Sequence, residues 1–165
     1  MVLIKSELIA SLQKEVRILL HLATKIDRGQ LDYRPTPKQR SSIELLRYLS
    51  FMGPSLIAAG KAGTFDTAQW GAALAAADKR DFDQTIDAIA AQAETYATML
   101  TDLPDDAFRE SIEIFGVKQS RGSFFVNVVL CGYAAYRTQL FVYLKACGRT
   151  ELVTMNLWAG VDPPA

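Results

Sequence analysis

Apolar residues recur at three- and four-residue steps along four long stretches of the chain. Leu8, Leu12, Val16, Leu19, Ala23 and Ile26 make one stripe, which predicts a helix over about residues 3–27, with Gly29 marking its end. Pro35 and Pro37 then favour extended backbone. Ser41 and Glu44 have the spacing of a capping box. Behind them Ile43, Leu46, Leu49 and Leu56 predict a second helix over about 41–60, with Pro54 expected to kink it or begin a new segment.

A looser stretch with Gly60 and Gly63 leads to a short helix over about 66–77. Asp81 and Gln84 cap a third long helix over about 81–102, carried by Ile86, Ile89, Ala93, Tyr96 and Leu100 and stopped at Pro104. Between Arg109 and Gln119 the pattern alternates, with Ile112 and Ile114 flanking Glu113, so a short extended excursion is expected but no sheet. The last helix is expected over about 123–147, closed by Gly148. Leu157 and Trp158 suggest that the tail packs back onto the bundle.

Composition fits one all-α domain over residues 1–165. Half of the 165 residues are hydrophobic, enough for one core. The formal net charge is zero, which argues against a general attraction to nucleic acid or to anionic membrane. The start is interrupted by Lys5 and Glu7 and has no signal-peptide pattern, and no apolar run is long enough to span a bilayer. Cys131 and Cys147 fall in one expected helix, sixteen residues and roughly 24 Å apart, where a disulfide needs about 7 Å or less. Both read as reduced thiols of a cytoplasmic protein.

Two segments carry a family resemblance. Residues 32–50, DYRPTPKQRSSIELLRYLS, and residues 132–148, GYAAYRTQLFVYLKACG, resemble the second and the closing helix of the DinB/YfiT-like four-helix bundles. The resemblance implies that fold, to which the pattern adds the short extra helix and a C-terminal tail; it also implies a homodimer and a metal held by three histidines. At the matching positions this sequence has Tyr48, Gly132 and Tyr136, while Arg137, Gln139, Leu140, Tyr143, Leu144 and Gly148 fit the pattern. An imidazole offers a neutral nitrogen lone pair, glycine offers no side chain, and a phenol must lose a proton with a pKa of about 10. The metal site is therefore expected to be degenerate. No cofactor is expected, and zinc or nickel would bind only if unusual ligands substitute.

Tyr48, Cys131, Gly132, Tyr136 and Gln139 define a candidate small-molecule pocket where the metal would have been. The structural alternative, which weighs more, is that the two phenols fill the old site and bond to each other or to Gln139. Cys131 reads as a small hydrophobe more readily than as a nucleophile. His21 is the only histidine and falls on a stripe with Lys14, Arg17, Lys25 and Arg28, which reads as a solvated helix face. The expected function is a metal-free, non-catalytic or small-ligand-binding protein. The alternative is a thiol-transferase or hydrolase-like enzyme using an altered site.

Overall fold

The computed structural model describes residues 3–164. Helix α1 covers Lys5–Ala23 and buries Leu8, Leu12, Val16, Leu19 and Ala23, the predicted stripe. It stops before the expected end at residue 27. The Thr24 hydroxyl donates to the His21 carbonyl and the Lys25 carbonyl accepts from Arg149, which draws the backbone out of the helix. Gly29 lies in a short 3-10 turn, Arg28–Gln30, set by the Asp27 side chain.

Helix α2 covers Ser42–Ala62 and begins with the predicted Ser41–Glu44 capping box. It runs without a break through Pro54, so no new segment starts there. It also absorbs Gly60, which was expected in a loose stretch, and ends at Gly63 in the left-handed region with φ +72°. Asp66 accepts from two amides to cap helix α3, Thr67–Asp78. The Asp81–Gln84 box caps helix α4, Phe82–Thr101. Helix α4 packs against α1 and α2, and α3 lies on the outer side of α2.

The alternating stretch pairs with itself. Strands β1, Ser111–Ile114, and β2, Val117–Ser120, form an antiparallel hairpin in the register Ile114↔Val117. This two-stranded ribbon goes beyond the isolated excursion expected from the pattern. The final helical run begins with α5, Arg121–Phe124, continues as a π-helical segment, Phe125–Leu130, and proceeds as α6, Cys131–Ala146. Arg121 is buried and donates to the Gly60 and Ala107 carbonyls and to Glu110, tying this start to the end of α2. Gly148, at φ +95°, turns the chain back.

The tail does return to the bundle, through a short helix α7, Thr154–Trp158. Its buried anchors are Leu152 and Asn156, whereas the Trp158 expected to pack is 60% exposed. His21 corrects a second expectation. Its side chain is only 14% exposed, because Asn156 lies 3.0 Å from Nε2 and Asp162 covers it from the tail. The supposed basic face is further broken by ion pairs of Lys25 with Asp162 and of Arg28 with Asp83. Among the described residues, no helix is long and apolar enough to cross a membrane.

Candidate functional site: an aromatic cavity beside Tyr48 and Tyr136

Tyr48 projects from the N-terminal half of α2 and Tyr136 from α6. Their rings meet in a T-shaped contact with centroids 5.1 Å apart. Gly132 precedes Tyr136 by one turn on the same face. A Cβ at Gly132 would lie 3.6 Å from the Met52 sulfur, an ordinary contact, so its bareness leaves space rather than relieving a clash. That space belongs to a cavity of about 650 Å³ lined by Tyr48, Gly132, Tyr136 and Cys131.

Three more aromatic rings, Phe65, Trp70 and Phe115, extend the wall. Tyr48 also meets Phe51 and Trp70 edge-on, at 5.6 and 6.1 Å. Trp70 meets Phe65 at 5.4 Å, and Phe65 meets Phe115 at 4.8 Å. The guanidinium of Arg40 lies 4.0 Å from the Tyr48 centroid. Burial first, and then the neighbouring Tyr136 phenol, push the Tyr48 hydroxyl up to about 12, against the opposing pull of Arg40.

The sequence-predicted residues are thus partly assembled. Tyr48, Cys131, Gly132 and Tyr136 share the cavity. Gln139 does not line it, because its amide is directed to the Tyr143 hydroxyl, which itself donates to the Arg40 carbonyl. Cys131 is exposed rather than buried. Glu44 serves its cap and pairs with Arg34. Sequence reasoning missed Met52, Phe65, Trp70 and Phe115. Trp70 had a legible signal as a large aromatic on an otherwise small-residue helix. Phe115 had none, because its position depends on the hairpin.

The donor chemistry does not fit a zinc or nickel ion. Among the described residues no three His, Cys, Asp or Glu side chains come together in a way that could hold a metal. The two phenols sit beside a glycine, and Tyr48 resists the deprotonation that ligation requires.

The packing of α1, α2, α4 and α6 makes an all-α bundle, and its likeness to a solved structure gives the fold as DinB-like. Among solved structures, the chain is similar to YjoA, a DinB-like protein from Bacillus subtilis. The match has a TM-score of 0.67 and 18% sequence identity, and covers 88% of this chain and 94% of that one. No family model matches the sequence, and no curated protein does.

Proposed function

We propose that the protein is a metal-free, non-catalytic binder of a small molecule, held in the cavity beside Tyr48 and Tyr136. One observation carries this reading. The cavity of about 650 Å³ opens on the three positions where the resemblance implies a metal, and its lining offers aromatic and sulfur surface with a few polar groups. A volume of that size and mixed character suits a small organic ligand. Protonated phenols can orient such a ligand by donating hydrogen bonds, which an ionised Tyr48 could not do.

The reading includes a homodimer, which rests on the resemblance and is tested by sedimentation equilibrium. It also includes a reducing compartment such as the cytoplasm, in keeping with two separate free thiols.

Two measurements test the proposal. Protein purified without a histidine tag should carry far less than one zinc, nickel or iron per chain. The neutral apolar probe N-phenyl-1-naphthylamine should bind saturably in calorimetry, and Gly132→Phe should abolish that binding by filling the cavity while leaving helical content intact. Stoichiometric metal that survives dialysis, or probe binding indifferent to Gly132→Phe, would overturn it.

A further inference from the structure

We infer that the cavity selects an uncharged, flat aromatic molecule, and that Phe115 at the hairpin tip is the side chain that sets this specificity. The inference rests on the small-ligand reading above and names the ligand class. Three observations support it.

The first is the charge of the walls. None of the residues lining the cavity carries a formal charge, and its polar groups are the Tyr48 and Tyr136 phenols, the Trp70 indole N–H, the Asn127 amide and the Cys131 thiol. No lining residue would supply a counter-ion to a charged ligand, the nearby Arg40 guanidinium being stacked on the Tyr48 ring, and burying an unpaired charge is strongly disfavoured. A neutral ring system with one hydrogen-bonding group meets no such penalty. Edge-on contacts among Tyr48, Trp70 and Tyr136 leave ring surface that suits a planar partner.

The second is the backbone at Phe115. Phe115 and Gly116 form the two-residue turn between β1 and β2 with φ of 57° and 73°, as a type I′ turn requires. Glycine, asparagine and aspartate suit the first of these positions, and a bulky side chain there is strained. Phe115 is the one non-glycine among the described residues with positive φ. Its ring lies against Phe65 and 6.5 Å from the Phe124 centroid, yet it stays 58% exposed and lines the cavity. Packing alone does not account for a strained, exposed aromatic. A contact completed only by a ligand does.

The third lies on the opposite wall. Asn127 and Val128 belong to the π-helical segment, and Cys131 follows it directly. Such segments are local irregularities that concentrate at functional sites. Two irregularities of different kinds, a π segment and a left-handed phenylalanine, therefore face one cavity.

The test compares two probes that differ only by a sulfonate, N-phenyl-1-naphthylamine and 8-anilinonaphthalene-1-sulfonate, on the intact protein by calorimetry. The neutral probe should bind at least tenfold more tightly. Phe115→Asn, which supplies a residue the turn favours, should weaken the neutral probe at least fivefold while the thermal midpoint stays in place or rises. Phe115→Leu, which keeps the apolar bulk without the ring, should weaken it as well. A purely structural Phe115 would give a lower midpoint and unchanged affinity. Equal or tighter binding of the sulfonate overturns the charge selection, and wild-type affinity in both Phe115 variants overturns the role of Phe115. Those failures differ from failure of the cavity reading, in which the neutral probe binds neither the wild type nor any variant, or binds regardless of Gly132→Phe.

Discussion

Arg137 and Glu15 form an ion pair inside the bundle, with Nε and Oε2 3.2 Å apart and side chains only 4% and 10% exposed. Arg137 also donates to the Leu157 carbonyl and holds its guanidinium 5.4 Å from the Trp158 ring centroid. One side chain thereby joins α1, α6 and α7.

Breaking this pair should be costly. Arg137→Met leaves Glu15 buried without its counter-charge, for which about 3–5 kcal/mol is typical. The pH dependence has a definite sign. Burial already raises the Glu15 pKa above its usual 4.5, opposed by Arg137, so removing Arg137 raises it further. A carboxyl with a raised folded-state pKa favours the native protein most below its unfolded value and loses that contribution as pH rises through the folded value. Urea denaturation should therefore show a smaller deficit for Arg137→Met at pH 5 than at pH 8. A deficit that grows on acidification would contradict this account.

Tyr48 supplies an alkaline counterpart. Its phenol, pushed up to about 12 by burial and then by Tyr136, stabilises the fold fully below pH 10 and loses that contribution between pH 10 and 12. In a titration followed at 295 nm, the difference between wild type and Tyr48→Phe should appear near the upper end of that window. Tyr136→Phe should move it down, because it removes the neighbouring phenol. Arg40→Ala should move it up, because Arg40 is the opposing influence. An unchanged Tyr48 step in both variants would sever the link between the contacts and the titration.

The helices were legible because their signals are local. The Ser41–Glu44 and Asp81–Gln84 boxes lie within four residues of sequence and form as read. Helical periodicity puts Gly132 and Tyr136 on one face, while pairing them with Tyr48 rested on the resemblance of residues 32–50 and 132–148; the structure brings the Tyr48 and Tyr136 rings into contact. What escaped the sequence depends on distant partners. His21 looks solvated on its own helix, and only the returning tail, through Asn156, covers it. Gln139 has the right spacing for the cavity, but Tyr143 one turn on draws its amide away. Phe115 becomes a cavity wall only once β1 and β2 pair and turn it toward Phe65.

Gly53 should tolerate no side chain. A Cβ there would collide with the phenol oxygens of Tyr96 and Tyr133, which contact each other and share Gln92 in the core. Gly53→Ala should destabilise by about 1–3 kcal/mol, the usual cost of overpacking. In Tyr96→Phe/Tyr133→Phe the same substitution should cost less, since both colliding oxygens are gone. Additive effects in a double-mutant cycle would show that the clash is relieved elsewhere.

The cavity beside Tyr48 and Tyr136 should become a metal site when its side chains alone are changed. Tyr48 and Tyr136 already meet at 5.1 Å between centroids, and Gly132 lies one turn from Tyr136 on the same helix face. Histidine at all three positions would supply three neutral nitrogen donors, two of them four residues apart on one helix and the third facing them, an arrangement suited to zinc or nickel. The cavity leaves room for the new imidazole at Gly132, whose Cβ would make only ordinary contact with Met52. Overpacking by about 1–3 kcal/mol remains the main cost, so urea denaturation should accompany the binding measurement. The variant Tyr48→His/Gly132→His/Tyr136→His should bind zinc or nickel in calorimetry with a stoichiometry near one per chain, and should gain thermal stability when loaded, as a ligand of the native state must provide. The control Tyr48→Phe/Tyr136→Phe should bind neither ion. A triple variant that folds and binds no metal would mean that these three positions, although neighbours in space, do not converge on a common point, and the correspondence between this cavity and a metal site would fall with it.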